Sequence, residues 1–497
     1  MTGEISDSTT GTSLLNRKWV KVFLLVFFAF STFFVHNSIL HPDIMEVRNL
    51  VTAHEMLTDG NWIVTTMNGE YRFEKPPLPT WVAAGVEGVF GDSLAMQRAA
   101  AGMMGLLLAY FLYVFVRRIT EQKSTGIVAA LMLLTCYNVV LQGRTATWDI
   151  YCHAFMLGGV YFLYKALYSP MRVSNFLFAG VLMGLSFMSK GPVAITAMLL
   201  PAVIALLVWR LPDMRGRWLA LVGMIVIAVV LGVWWYAYIY LSVSDAATEI
   251  VQKETTSWVG HNVRPWWYYW RFFLESGIWA PLLVYVIVRA IMGWKSENAA
   301  TRIGLVWTLA GVLILSLFPE KKMRYLMPLM VPCCLLMASW VASHWQARTV
   351  RRLVGVVCCL FVLFECFGFP SLKHILGYDE RESLSELRTL VAQDSSYKVC
   401  YVNQEGHIFR IDMVYHLMHK IETCPSEELD SYLSQSENPV LLLLPHDFDL
   451  ADISLPEGAA LSDEGTYDDN SHPLTDKHYN TSLVNRAVMF TPSVAKP

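Results

Sequence analysis

The chain has 497 residues, of which 55% are hydrophobic and only 16% charged, and its net charge is −3. That balance excludes an ordinary soluble globular protein and asks for a membrane protein; the small net charge says little about partners, and no nucleic acid is expected. The apolar run at 22–40 carries one His and no formal charge. At about 1.5 Å per residue it crosses a hydrocarbon core of about 30 Å.

No small-residue cleavage site follows that run, and Arg17, Lys18 and Lys21 precede it. It reads as an uncleaved signal anchor with the N-terminus in the cytoplasm. Further apolar stretches lie at 95–116, 124–141, 150–168, 174–189, 192–209, 218–240, 277–293, 303–318, 325–345 and 353–369. The expected fold is a polytopic α-helical membrane protein of about 11 transmembrane helices. Alternating from an inside N-terminus, the inside loops receive Arg117, Arg118 and Lys123; Lys165 and Arg172; Arg210, Arg215 and Arg217; Lys295 and Arg302; and Arg348, Arg351 and Arg352. Each inside loop carries the basic excess that cytoplasmic loops show, which puts everything after about residue 370 on the outer face.

Three parts are expected: a membrane body of residues 1–369, two outer loops within it at 41–92 and 241–276, and a soluble periplasmic α/β domain at 370–497. In the first loop Val47, Leu50 and Val51 recur at helical spacing, which predicts interfacial helices there. Asp59-Gly60-Asn61 and Asn68-Gly69 then mark turns that deliver Phe73-Glu74-Lys75-Pro76-Pro77. The second loop holds Trp266, Trp267, Tyr268, Tyr269 and Trp270. These form either an aromatic belt at the lipid boundary or a stacking surface for a sugar or a lid over a cleft, with Trp266 and Tyr268 as the candidate substrate contacts. In the tail, 397–402 and 440–444 predict short buried strands and 412–421 a helix between them. Seven of the nine cysteines lie in or beside apolar runs, where Cys is a packing residue. Cys400 and Cys424 lie in the tail, where a disulfide is permitted but not required. No zinc-ligand spacing appears.

Against this topology some charges stand on the wrong side. Lys75, Lys190 and the group Lys321, Lys322 and Arg324 are cations at the outer ends of spans, and an anionic substrate would explain them. Lys190, in the tight Ser189-Lys190-Gly191-Pro192 connection, needs a buried partner, and Asp149 at another outer helix end is the candidate. The plainer alternatives are a structural Asp–Lys clamp and snorkelling of the Lys321–Arg324 group to the interface. Outer-face carboxylates (Asp43, Glu46, Glu74, Asp149) beside outer-face cations (Lys75, Lys190, Lys321, Lys322, Arg324, with Tyr325) describe a site for glycosyl transfer from a lipid phosphate. A carboxylate acts as general base on the acceptor hydroxyl, which attacks the anomeric carbon from the face opposite the phosphate. The cations stabilise the charge growing on the departing phosphate, so no metal ion is required, although a divalent ion is compatible with the scheme.

The same residues resemble a family: the polyprenyl-phosphate-sugar-dependent glycosyltransferases of the GT-C class, near the bacterial aminoarabinose (lipid A) transferases and the protein O-mannosyltransferases. The pattern runs through Glu46-Val47-Arg48, Glu55-Met56, Gly60-Asn61-Trp62, Asn68-Gly69 and Phe73-Glu74-Lys75-Pro76-Pro77-Leu78. It continues at Gly91, Arg98, Thr147-Trp148-Asp149, Ser189-Lys190-Gly191-Pro192 and Lys322-Met323-Arg324-Tyr325-Leu326-Met327-Pro328. The resemblance implies an inner-membrane enzyme that takes a sugar from undecaprenyl phosphate and adds it to a lipid, glycan or protein acceptor on the periplasmic face. It also implies that Lys75 and Arg324 contact the lipid phosphate, that Lys190 holds Asp149, and that Arg48 and Glu55 belong to the substrate site. Where the family carries Asp-Glu in the first loop, this chain has Met45-Glu46, which leaves Asp43, Glu46 or Asp149 as the base. A transporter or flippase of lipid-linked sugars is the first alternative and a non-catalytic envelope scaffold the second. The charges gather at outer helix ends rather than mid-membrane, which favours the enzyme over the transporter.

Overall fold

The computed structural model describes residues 18–260, 262–375, 382–392, 397–407, 409–470, 477 and 479–492. The N-terminal tail with Arg17 lies outside that range. The membrane body begins with α1 (Lys18–Phe33), α2 (Ile44–Thr58), a hairpin of β1 (Thr66–Met67) and β2 (Glu70–Tyr71), α3 (Leu78–Phe90) and α4 (Leu94–Thr120). α5 (Lys123–Leu133) and α6 (Tyr137–Gly143) meet across a short break at an angle of 71°. α7 (Trp148–Tyr168), α8 (Val173–Lys190), α9 (Leu200–Trp209), α10 (Trp218–Ser242), α11 (Ser244–Gly260), α12 (Ala280–Met292) and α13 (Ala299–Leu317) follow. α14 (Met330–His344), α15 (Ala347–Leu363) and α16 (Phe369–Ile375) close the body.

Among the described residues eight helices, some including a leading or trailing non-α turn, are long and apolar enough to cross a membrane, or nine if α5 and α6 form one span. Two shorter apolar helices, Val22–Phe33 and Ile195–Trp209, coincide with two more of the expected runs. The span expected to start at 277 is preceded by a 3₁₀ segment, Trp266–Trp279, which is kinked at Gly277 (φ 61°, ψ −122°) before α12 begins. Small residues let the helices approach closely. A Cβ on Gly180 of α8 would stand 2.6 Å from the Met224 carbonyl oxygen of α10, so only glycine permits this crossing.

After α17 (Arg388–Ala392) the chain builds a five-stranded sheet from β3 (Lys398–Asn403), β4 (Ile421–Pro425), β5 (Val440–Pro445), β6 (Ala460–Asp468) and β7 (Val484–Thr491). Its order is β4-β3-β5-β7-β6; β3 runs parallel to β4 and β5, while β7 is antiparallel to β5 and β6. α18 (Ile411–Leu417) links β3 to β4 and α19 (Leu429–Ser434) links β4 to β5. The helix expected over 412–421 therefore ends at Leu417, and Ile421 opens a strand instead. Met418, at φ 51, turns the chain out of the helix. Cys400 and Cys424 are both free and buried.

The first-loop helix differs from its expectation in one respect. Val47, Leu50 and Val51 of α2 are at most 2% exposed, inside a core shared with Leu384, Tyr401, Met413, Val414 and Leu441. The apolar face expected to meet lipid meets protein. The hairpin makes the same junction: Asn68 Nδ2 donates to the Ile421 carbonyl (2.9 Å) while the Ile421 N–H donates to Asn68 Oδ1 (2.8 Å). Asn68 and Gly69 hold φ of 55° and 79°, the left-handed pair of a type I′ turn, which is why Asn-Gly occupies this position.

Candidate active site

α7 and α8 are antiparallel neighbours joined by a short link, so the N-terminus of α7 lies beside the C-terminus of α8. A carboxylate is favoured at the first end and a cation at the second by the helix dipoles. Asp149 and Lys190 occupy those ends, and the Lys190 ammonium donates to Asp149 Oδ1 with both side chains buried. The next residue, Gly191, has φ 74° and ψ −149°, a conformation open to glycine alone, and it turns the chain straight into the next helix. The Tyr325 ring lies 5.3 Å from the Lys190 ammonium, and Arg324 acts on both Lys190 and Asp149 electrostatically. Lys322 pairs with Glu320 (2.6 Å) and its backbone is fixed by Tyr269, whose hydroxyl both donates to the Lys322 carbonyl (3.0 Å) and accepts from its N–H (3.1 Å).

The first loop brings a second set of charges to the same end of the bundle. Arg72 stacks over the Trp148 ring (5.0 Å) and reaches Glu74 (Nε to Oε2, 3.8 Å). Glu74 Oε2 is buried with no hydrogen-bond partner. Lys75 follows, close enough for its charge to act on Lys190. Asp43 caps α2, its Oδ1 accepting from the Met45 and Glu46 N–H groups at 2.8 Å each. Its side chain is exposed, and its charge is felt at Arg324.

Several candidates have a different setting from the one expected. Glu46 is fully buried; Arg98 donates to its two oxygens at 2.8 and 2.7 Å, and the Ala146 N–H donates to Oε1 at 2.7 Å. With both oxygens held, Glu46 anchors α2 to α4 and to the turn before α7. Glu55 accepts from the Thr66 hydroxyl (2.6 Å) and the Gly69 N–H (3.3 Å), so it fixes the hairpin that carries Glu74. Lys321 donates to the carbonyls of Phe318 and Arg264. Arg48 is exposed on α2, and Trp266 is 74% exposed, while Tyr268 lies between Arg264 and Arg271 at 5.9 and 5.8 Å.

The structure also adds residues. A cavity of about 270 Å³ opens beside Arg324 and is lined by Tyr137, Asn138, Arg271, Glu275 and Met323. Asn138 donates to Glu275 (2.9 Å) and to the Met323 carbonyl (3.0 Å), and the bend between α5 and α6 is what brings it there. Arg324 Nε is buried without a hydrogen bond. The available signal was the Arg271/Glu275 pair, four residues apart within an aromatic run that reads as a lipid belt. Arg72 was legible as a cation two residues before Glu74. On the far side of α2, His54 Nδ1 lies 2.6 Å from Glu87 Oε1, and that hydrogen bond raises the His54 pKa above its ordinary value against the desolvation of the ring.

This arrangement joins paired carboxylates to clustered cations at the mouth of a helical bundle. The sequence profile described as dolichyl-phosphate-mannose-protein mannosyltransferase matches residues 74–236, which hold Glu74, Lys75, Asp149 and Lys190. The undecaprenyl phosphate-α-4-amino-4-deoxy-L-arabinose arabinosyl transferase 2 of Pseudomonas fluorescens is 28% identical over 408 residues, covering 77% of this chain and 66% of that protein. The corresponding transferase of Yersinia enterocolitica is 26% identical over 403 residues, 74% of this chain and 69% of its own. The chain thus spans about two thirds of the length of these relatives. The crystal structure of ArnT from Cupriavidus metallidurans bound to undecaprenyl phosphate superposes with a TM-score of 0.72 at 17% identity, over 96% of this chain and 99% of that one. The chain is a polytopic helical membrane protein with the fold of that transferase, and it is similar to the GT-C glycosyltransferases that its motifs resemble.

Proposed function

We propose that this protein is a bacterial inner-membrane glycosyltransferase that takes a sugar from an undecaprenyl-phosphate donor and adds it to an envelope acceptor, a lipid A or other glycan or a protein, on the periplasmic face. Eleven spans, with the N-terminus in the cytoplasm and a periplasmic domain from about residue 370, complete this reading. The observation that carries it is the convergence of Lys75, Lys190 and Arg324 on one helix-bundle mouth beside Asp149 and the exposed Asp43. Three cations around two carboxylates are more charge than a structural clamp requires.

In this mechanism the donor phosphate lies against Lys75 and Arg324, with the cavity beside Arg271 taking the start of its chain or sugar. Asp43 is the base. Its Oδ1 is spent on the helix cap and its side chain is exposed, whereas Glu46 has both oxygens bound and Asp149 is held by Lys190. Asp43 removes the acceptor proton as the acceptor oxygen bonds to the anomeric carbon, and the sugar–phosphate C–O bond breaks on the opposite face, inverting the configuration. The phosphate leaves carrying the bonding electrons, and Lys75 and Arg324 neutralise it. A single phosphate needs no metal ion when two side-chain cations meet it. Glu74, held beside Arg72, orients the reacting groups. The test is release of undecaprenyl phosphate from a sugar-loaded donor by the purified protein in detergent. Release that depends on an added acceptor supports the proposal; donor left intact with every envelope acceptor tried overturns it in favour of transport.

A further inference from the structure

The sheet after residue 397 has a feature unrelated to the bundle mouth. β4 and β5 flank β3 on opposite sides and all three are parallel, so the order β4-β3-β5 reverses direction at β3. The crossovers lie on opposite faces: α18 contributes Met413 and Val414 to one core, and α19 contributes Leu429 and Leu433 to the other. The segment after β5 packs Phe448 and Ile453 into the α19 core, so the loops leaving the C-terminal ends of β3 and β5 part toward opposite faces. In open α/β sheets such a parting opens a crevice in which ligands bind.

Three metal-ligating side chains stand in that crevice. His407 lies in the turn after β3, its N–H donating to the Gln404 carbonyl at 3.0 Å. His446 and Asp447 form the turn after β5. One ligand atom from each lies within 4.8 Å of the other two. His407 Nε2 is 3.6 Å from Asp447 Oδ1, and the two imidazole rings are 6.0 Å apart. The independent observation concerns His407 itself. Its side chain is only 10% exposed, and neither ring nitrogen has a hydrogen-bond partner. Gln404 Oε1, in the same turn, is also buried and unpartnered. Buried polar atoms normally find partners, so a group of them facing two further ligands points to something bound.

We propose that His407, His446 and Asp447 bind a divalent transition-metal ion, with zinc as the best match. Two imidazoles and a carboxylate without a thiolate suit zinc, and three protein ligands leave a fourth position for water or for Gln404. Tetrahedral zinc with bonds of about 2.1 Å separates its ligand atoms by roughly 3.4 Å. His446 and Asp447 are exposed, which leaves their side chains room to close from within 4.8 Å onto an ion. The ion would tie the turn that leads into α18 to the turn after β5, and α18 packs on α2. The ligands come from two loops 39 positions apart, which is why no zinc spacing is visible in the sequence.

The test is zinc titration of the full-length protein in detergent, purified through a histidine-free tag and stripped with chelator, followed by competition with a chromophoric chelator. The expected result is one zinc per chain, with affinity reduced at least about tenfold in both His446→Ala and Asp447→Asn and unchanged in the control His419→Ala. Both informative substitutions are at exposed positions, so folding is retained. Wild-type protein that takes up no zinc, or zinc bound equally well by His446→Ala and Asp447→Asn, overturns the proposal.

Discussion

Lys190, the last residue of α8, donates from its ammonium to Oδ1 of Asp149 in the first turn of α7, and both side chains are buried. Removing one partner strands the other charge, which costs about 3–5 kcal/mol, whereas removing both restores a neutral site. Lys190→Met and Asp149→Asn are each predicted to lower the unfolding midpoint sharply in detergent. The double variant should lose less than the sum. Additive losses in that cycle would show that the pair is not coupled.

The cations separate into two groups. Lys75→Ala and Arg324→Met are predicted to reduce transfer by about 10²–10³-fold, the usual loss when a group that stabilises developing charge is removed. Lys321→Met should lower stability and leave the donor KM unchanged, because the Lys321 ammonium is spent on the Phe318 and Arg264 carbonyls. Initial rates against donor concentration distinguish the two. A raised donor KM in Lys321→Met would put that residue back at the phosphate.

Asp43 and Glu46 provide the sharpest contrast. Asparagine caps a helix as well as aspartate does, so Asp43→Asn keeps the cap on α2 while removing the carboxylate proposed as the base. It is predicted to lose about 10²–10⁴-fold in turnover with little change in stability. Glu46→Gln should do the reverse and destabilise, since it leaves Arg98 buried without a counter-charge. Turnover and unfolding midpoint measured on the same two preparations decide between these roles.

The His54–Glu87 pair gives a pH dependence. The folded pKa of His54 lies above the ordinary 6.5 of the unfolded chain, with the Glu87 hydrogen bond as the largest cause. The folded state binds this proton more tightly, so the stabilisation is complete below pH 6.5 and is lost as pH rises through the folded value. Wild type and His54→Gln should therefore differ most in unfolding midpoint in mildly acidic buffer and converge at alkaline pH. A gap that widens with pH would mean the pair is neutral when folded.

Local features were readable from sequence because they depend on neighbouring residues. The Asn68-Gly69 turn, the tight Lys190-Gly191 connection and the buried strands near 398 and 440 each announce themselves within a few positions. Residues whose roles depend on distant chain were not. Glu46 reads as a catalytic acid until Arg98, 52 positions on, is seen to take both its oxygens. Asn68 reads only as a turn residue until Ile421, 353 positions away, is found pairing with its amide. The apolar face of α2 has the spacing of a lipid-facing helix, and nothing in that spacing says that the core around Tyr401 covers it. Arg271 and Glu275 were hidden because the tryptophans and tyrosines around them signal a membrane boundary more loudly than two charges signal a pocket.

Sugar transfer to the envelope is tested most directly by mass spectrometry of envelope lipids and glycoproteins from cells that lack the gene, complemented with the wild type or with Asp43→Asn at matched protein abundance. The expected result is a sugar-sized mass that disappears on deletion and returns with the wild type alone. No glycan mass changing on deletion, or full restoration by Asp43→Asn, would contradict it, the first outcome by removing the transferase reading and the second by removing Asp43 as its base.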